Sequence, residues 1–443
     1  MRFTSTRNKK LNIGFEQAIR DCIPEDGGLY VPAEVNDLRR WILFTNEKTT
    51  YASVAGALTL ACVNEEFSPI ICEAIAAQAF PYEPKLSKMD KGLYTLELFH
   101  GPTGWHRDFG VSYLIEALEN ILLMKDTNAV ILDVNASALA ASLANALRGK
   151  KRIKAVLLFP KNSVKGLSEE DFIWNGGNLF PIEIDGSIED CNKIVKDIFS
   201  DHKNVENFNL TVANTANIGR LFPQAFFYPF AFSRLKGEVT GNIYYAMPPG
   251  NFSNVTAGLY SWKIAMPVSG FILPATDALT VDPAGRCVML DALVPVNERG
   301  KTDPSCLSNL ERLEEIFSAN TALMHNLVYA AKITDDDTVF AAKELFMKYQ
   351  LYADKNTASA YAAALKQKDA TYQDNGTLVL VVNDHPSLDA DFIRRCTGEN
   401  LQMPENVAAS VRPAHIGKPL IRSSSEVLSI VQSVSKGFNA AGF

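Results

Sequence analysis

The feature that most constrains the fold is a regular alternation, beginning near residue 93, of short apolar runs with helix-length segments. The runs are nearly continuous and bounded by glycine, proline or polar residues, which is typical of strands buried on both faces. They lie at residues 129–134, 155–159, 179–184, 242–247, 270–274 and 377–383. Such alternation predicts an α/β protein with doubly wound, mostly parallel sheets and ligands at the carboxyl ends of the strands.

Between and after these runs the apolar residues recur with helical spacing. The predicted helices are 112–124, 139–148, 189–199, 219–235, 255–264, 308–317, 338–349, 357–367 and 427–434. Residues 1–92 predict a separate, small helical unit with helices at 15–20, 54–60 and 70–79. Because the last strand follows a long helical stretch and returns to the sheet, we expect residues 93–443 to form two interleaved lobes.

Composition excludes several functional classes. The chain has 47% hydrophobic and 21% charged residues, as ordinary globular enzymes do. Its net charge of −7 and its lack of basic clusters interleaved with aromatics argue against nucleic acid as a partner. No segment approaches the roughly 20 apolar residues of a membrane span. Seven cysteines without a C-x-x-C pair, and no metal-ligand spacing, predict no metal site and a reducing, cytoplasmic location.

Two junctions of a strand with a helix are suited to an anion. In residues 93–110 an apolar run stops at Gly101-Pro102, and a helix follows from about Asp108. Residues 248–254 connect a predicted buried strand to the next predicted helix, with the sequence Pro-Pro-Gly-Asn-Phe-Ser-Asn. Backbone N–H groups and the helix dipole favour negative charge at such places, although a plain connection between two elements is an equal alternative. The predicted partner is a small anionic ligand, a phosphate or a phosphorylated amino acid.

Four motifs resemble those of the threonine synthases. They are Glu97-Leu-Phe-His-Gly-Pro-Thr103, Arg107-Asp-Phe-Gly110, Ser5-Thr-Arg7 and Asp26-Gly-Gly-Leu-Tyr-Val-Pro32. The resemblance implies a fold type II, tryptophan-synthase-β-like protein that uses pyridoxal phosphate (PLP). It also implies the family reaction, in which O-phospho-L-homoserine and water give L-threonine and phosphate.

The resemblance places two family features on residues of a different kind. The family's Schiff-base lysine corresponds to Arg107, whose guanidinium stays protonated and is no amine nucleophile. The family's substrate loop, Thr-Ser-Gly-Asp-Thr-Gly, corresponds to residues 135–140, Asn-Ala-Ser-Ala-Leu-Ala. Asn135 and Ser137 are the remaining polar residues and the predicted substrate contacts, and an apolar turn that only packs is the alternative.

Other residues of the predicted site match the family's pattern more closely. Residues 250–254 resemble the PLP-phosphate loop Gly-Asn-Phe-Gly-Asn, so the predicted cofactor contacts are Gly250, Asn251, Phe252, Ser253 and Asn254. Asn383 stands where a threonine lies near the pyridine nitrogen. Asn217 and Arg220 match a substrate-binding asparagine and arginine, with a helix cap and a surface charge as the alternative. His106, beside Arg107, has an open role, either general base or stacking.

Three functions follow from this pattern. The first is a threonine-synthase-like protein with degenerate or altered catalysis, because the PLP lysine and the substrate loop are lost. The second is an active threonine synthase, or another PLP-dependent lyase, that uses a relocated amine such as Lys161 or Lys165, although plain surface lysines are the simpler reading. The third is a non-catalytic homologue that binds an anion or a partner. The sequence leaves open whether the chain is a monomer or a homodimer.

Overall fold

A computed structural model describes the chain except residues 64, 136–137, 172–176, 290–293, 306, 319, 373–374 and 439–443. The N-terminal part contains strands β1 (Phe3–Ser5) and β2 (Tyr30–Pro32) and helices α1 (Phe15–Asp21), α2 (Arg39–Phe44), α3 (Tyr51–Val63) and α4 (Pro69–Ala79). The two strands pair antiparallel. The three helices predicted for this part are therefore present, and each of them is longer than the sequence pattern indicated.

The rest of the chain alternates strands and helices. In chain order these are β3 (Lys85–Asp90), β4 (Leu93–Glu97), α5 (Arg107–Lys125), β5 (Ala129–Val134), α6 (Leu139–Ala146), β6 (Ile153–Pro160), β7 (Leu179–Ile184), α7 (Ile188–Ser200), α8 (His202–Phe208), β8 (Leu210–Thr211), α9 (Ile218–Leu221), α10 (Phe227–Leu235), β9 (Ile243–Ala246), α11 (Ser253–Lys263), β10 (Gly270–Pro274), β11 (Leu279–Val281), β12 (Cys287–Met289), α12 (Leu310–Phe317), α13 (Thr321–His325), β13 (Val328–Ala331), α14 (Asp335–Tyr349), α15 (Lys355–Lys366), β14 (Thr377–Val382), α16 (Ala390–Thr397), α17 (Glu405–Val411) and α18 (Ser424–Lys436).

Two sheets organise these elements. One has six strands in the order β13-β10-β9-β14-β4-β3, and the other has four in the order β7-β6-β5-β8. Neighbouring strands run parallel in both sheets, except that β3 pairs antiparallel with β4. The four-stranded sheet is inserted in the chain between β4 and β9 of the larger sheet. The predicted α/β fold with mostly parallel, interleaved sheets is confirmed.

The strand register brings distant turns to one edge of the large sheet. Val382 of β14 pairs with Glu97 of β4, and Leu380 pairs with Ala246 of β9. The segments that follow these three strands therefore leave the sheet at the same edge, as the carboxyl ends of parallel strands do. The Gly101 turn and the Pro249-Gly250 turn lie on this edge, as predicted.

An aromatic cluster attaches the N-terminal helices to the segment that carries the predicted site. Tyr51 of α3 is fully buried, and its ring lies 4.8 Å from Phe80 and 5.3 Å from Phe109 between centroids. It also contacts Phe227 and Phe230 of α10 at 5.8 and 5.4 Å. Such pairs contribute about 0.5–1.5 kcal/mol each beyond their buried area. The cluster thus fixes the first turn of α5, since Phe109 is its third residue.

The structure corrects the prediction of one continuous helix over residues 219–235. Helix α9 ends at Leu221, a 3₁₀ segment covers Phe222–Phe226, and α10 follows. Pro223 explains the interruption, because proline lacks the N–H that a helix interior requires.

Strand β3 was not predicted. It alternates charged and apolar side chains at the edge of the sheet, outside the buried pattern that marks the other strands. It precedes residue 93, the start expected for the second region, but it pairs with β4. Within the described residues, no helix combines the length and the apolar character that crossing a bilayer requires.

Candidate functional site

The beginning of α5 is held by a buried carboxylate. Asp108 accepts hydrogen bonds from the backbone N and Oγ1 of Thr103, both at 2.8 Å, and from Oγ of Ser142 at 2.7 Å. Burial raises the pKa of Asp108, and these hydrogen bonds oppose the rise. The side chain therefore joins the turn before α5 to α6, and it fixes the direction of the residues beside it.

His106 is held in place by Asp384. Nδ1 of His106 lies 2.7 Å from Oδ1 of Asp384, and the backbone N of His106 donates to the same oxygen at 3.1 Å. Burial favours a higher pKa for Asp384, but the charges of His106 and Arg107 and the hydrogen bonds from His106 lower the pKa below its ordinary value. One ring nitrogen of His106 is thus committed to a carboxylate.

Arg107 and Arg220, called here the arginine pair, flank the first turn of α5. Arg107 is partly exposed and Arg220 is 3% exposed. Among the described residues, Nε of both arginines and Nη1 of Arg220 are buried without a hydrogen-bond partner. Burial and the charge of Arg107 lower the pKa of Arg220 to about 9. A Cβ at Gly110 would lie 1.8 Å from Nη1 of Arg220, so glycine is required for this approach.

The predicted phosphate loop has an unusual backbone. Gly250 has φ +47° and Phe252 has φ +63°, the left-handed region that a bulky residue rarely occupies. The loop is anchored by Asn251, whose Nδ2 donates to Oγ1 of Thr215 at 3.0 Å and whose carbonyl accepts from the N of Asn309. Ser253 is the first residue of α11. The segment therefore presents a helix N-terminus on a fixed, kinked loop.

Asn254 and Asn383 connect this loop to the Asp384 region. Nδ2 of Asn254 donates to Oδ1 of Asn383 at 3.1 Å, and the hydroxyl of Tyr228 donates to Oδ1 of Asn254 at 2.7 Å. Because Asn383 precedes Asp384, the contacts run without a break from α11 to the start of α5. The structure thus brings the predicted residues of the phosphate loop together with Asn383, His106 and Arg107.

Asn135, a predicted substrate contact, is bonded to the protein itself. Oδ1 of Asn135 accepts from the backbone N of Ala140 at 2.8 Å, so this side chain closes the turn before α6. Ser137 lies outside the described residues. Ala138 has φ +57°, a conformation that costs a residue with a Cβ about 1–2 kcal/mol.

Asn217 faces the interior of the protein. It is fully buried, and its Nδ2 donates to the carbonyl of Ile19 at 2.8 Å and to Oγ1 of Thr211 at 2.9 Å. Its Oδ1 accepts from the N of Gly219, which caps α9. In this structure Asn217 orients the helix that carries Arg220, and its contact with a substrate stays a prediction.

The two lysines considered as relocated amines have other surroundings. Nζ of Lys161 lies 3.4 Å from Oδ1 of Asp185, with the lysine side chain 49% exposed, and Arg422 pairs with the same carboxylate. Lys165 is exposed, and its backbone bridges to Pro413. Among the described residues, neither lysine forms a hydrogen bond or an ion pair with the arginine pair or with the phosphate loop.

Asp133 was missed by the sequence prediction. It is buried at the end of β5 and accepts from the N of Val134, the N of Ala213 and Nδ2 of Asn214. Burial raises the pKa of Asp133 to about 6, against these hydrogen bonds and the charge of Arg107. The signal in the sequence was an acidic residue inside an otherwise apolar run.

We expect Asp133 to make stability depend on pH. A carboxyl whose folded pKa is about 6 instead of 3.8 favours the folded state below pH 4. This contribution, about 3 kcal/mol, is lost as the pH rises from about 4 to about 6. Urea unfolding from pH 4 to 7 measures the free energy of unfolding of the wild type and of Asp133→Asn. The wild-type value minus the value of the variant should fall as the pH rises from about 4 to about 6. A constant difference would contradict the assignment.

Comparison with known proteins finds similarity to one family of enzymes. A family model, the threonine synthase N terminus, matches residues 2–80. Threonine synthase of Buchnera aphidicola is 28% identical over 409 residues, which are 92% of this chain and 94% of that protein. This chain is similar in sequence to the threonine synthases. The similarity extends well beyond the N-terminal helices, over 92% of the chain.

Solved structures show the threonine-synthase fold for the same residues. The crystal structure of threonine synthase from Escherichia coli superposes with a TM-score of 0.76 at 23% identity, and it covers 98% of this chain and 100% of that one. The PLP-bound threonine synthase from Brucella melitensis superposes with a TM-score of 0.78 at 22% identity, with the same coverage. The fold class is therefore that of the threonine synthases.

Proposed function

We propose that this chain is a threonine-synthase-like protein that holds PLP, or another small phosphorylated molecule, without a covalent bond and does not carry out the family reaction. The observation that carries the proposal is Arg107. It is the first residue of α5, at the position where the resemblance implies the PLP lysine, and it points no amine at the site. In the family, PLP attached to that lysine supplies the electron sink of the reaction.

The residues present fit one end of PLP and not the other. The N-terminus of α11 favours a phosphate, although the backbone N of Phe252 and that of Ser253 already donate to Pro249 and Asn251 within the loop. Asn383 lies beside this loop through its contact with Asn254. An aldehyde requires an amine, and the arginine at residue 107 cannot supply one.

The surroundings of the former substrate loop support the same conclusion. The side-chain oxygen of Asn135 accepts a hydrogen bond from the chain's own backbone, and four of the five residues that follow it in the sequence are alanine or leucine, Ser137 being the fifth. A polar substrate would therefore lose hydrogen bonds to water without replacing them, at a cost of about 1–3 kcal/mol for each unsatisfied group. The six cysteines among the described residues are buried free thiols, which agrees with the proposed cytoplasmic location.

Reduction with borohydride tests the proposal. Purified protein mixed with PLP is reduced, digested and analysed by mass spectrometry, and PLP binding before reduction is followed by equilibrium dialysis. We expect PLP to be retained in dialysis without any lysine labelled after reduction. A label on Lys161 or Lys165 would show an active site with a relocated amine instead. Growth of a threonine auxotroph expressing the chain would overturn the proposal independently.

A further inference from the structure

We propose that the arginine pair, Arg107 and Arg220, binds one oxyanion of a small molecule, either a carboxylate or a phosphoryl group. This inference deepens the proposed function, since it assigns a ligand-binding role to the arginine that stands where the resemblance implies a lysine. It concerns the first turn of α5 and Arg220, and not the loop at residues 250–254.

The first argument is the set of unused donors. Nε of Arg107 and both Nε and Nη1 of Arg220 are buried and have no partner among the described residues. Neither guanidinium takes part in an ion pair within 4.0 Å in the described part of the chain. Buried donors are nearly always satisfied in folded proteins, so these groups point to a ligand that the chain itself does not provide.

The second argument is that the neighbouring carboxylates are already occupied. Asp108 accepts three hydrogen bonds from Thr103 and Ser142. Asp384 accepts from the ring and the backbone of His106. Asp133, described above, accepts from two backbone N–H groups and an asparagine amide. All three attract Arg107 over a distance, but in the described part of the chain none of them forms a hydrogen bond or an ion pair with either arginine.

The third argument is the direction of the two side chains. Arg220 is 3% exposed and lies against Gly110, one turn beyond Arg107 on the same helix. Arg107 is partly exposed, so a ligand would approach the pair from the side of Arg107. Two guanidinium groups at a helix N-terminus match the planar oxygens of a carboxylate or the tetrahedral oxygens of a phosphate.

Binding measurements with simple probes test the inference. Isothermal titration calorimetry of the full chain uses inorganic phosphate, acetate and O-phospho-L-serine as probes. We compare the wild type with Arg107→Gln, Arg107→Lys and, as a matched control, Arg40→Gln at an exposed arginine. We expect at least one probe to bind the wild type and the Arg40→Gln variant equally and to bind Arg107→Gln about tenfold or more weakly. The affinity of Arg107→Lys should lie between these values, because lysine keeps the positive charge and lacks the paired N–H donors of the guanidinium.

The probes also identify the source of the oxyanion. Binding of phosphate alone assigns a phosphoryl group, and binding of acetate alone assigns a carboxylate. Equal binding by the wild type and both Arg107 variants, or no binding of any probe, would overturn the inference. So would a crystal structure with these probes that shows only water on the arginine pair. None of these results depends on borohydride labelling, so a failure here is distinct from a failure of the proposed function.

Discussion

Replacing Arg107 with lysine is expected to give the chain a borohydride-trapped bond to PLP that the wild type does not form. A lysine in this position would begin α5 at a partly buried site, and burial lowers the pKa of an amine and so frees it for attack. The expected change is from no labelled lysine to a label at residue 107. Peptide mass spectrometry after reduction measures it directly.

The control for this experiment combines Arg107→Lys with Lys161→Arg, which keeps the surface charge that pairs with Asp185. The label should persist in this double variant. We expect neither variant to support growth of a threonine auxotroph, because Ala136, Ala138 and Leu139 still stand where the family's substrate loop has hydrogen-bonding side chains. A label in the wild type, or its absence from Arg107→Lys, would contradict our account of this position.

Arg312→Met is expected to lower the free energy of unfolding by about 3 kcal/mol or more. Arg312 is fully buried, and its guanidinium donates to the carbonyls of Tyr30, Thr215 and Ala216 and to Oδ1 of Asn309. The variant leaves these acceptors unsatisfied in the interior. Burial also lowers the pKa of Arg312 to about 10.

Urea unfolding of Arg312→Met beside Arg40→Met gives the test, since Arg40 is exposed and its replacement should change stability by less than about 0.5 kcal/mol. Equal stability of the two variants would show that the interior contacts of Arg312 contribute little. Because Thr215 and Ala216 lie just before α9, we also expect Arg312→Met to disturb the position of Arg220.

Much of the fold could be predicted from the sequence. The runs at 129–134, 179–184 and 270–274 coincide with β5, β7 and β10, because strands buried on both faces are marked by continuous apolar residues. In the two large sheets, strands β3, β8 and β13 were missed. Strand β3 is charged and lies at the edge of its sheet, and β8 and β13 are only two and four residues long.

The parts of the site that follow from the order of the strands could be predicted from the sequence. The parts that depend on contacts between residues far apart in the chain could not. Because parallel strands end at one edge, His106, Arg107 and Asn383 were expected near the phosphate loop, and the structure brings them together. The partner of His106 comes from residue 384, which no local pattern indicates. The interior bonds of Asn217 likewise depend on Ile19, nearly two hundred residues earlier in the chain.

The position of β14 has a consequence for synthesis on the ribosome. This strand lies between β9 and β4, so the large sheet is divided until residue 382 has emerged. Until then β4 and β9 present unpaired edges, which are open to wrong pairing and aggregation. We therefore expect nascent chains that end before β14 to depend on chaperones.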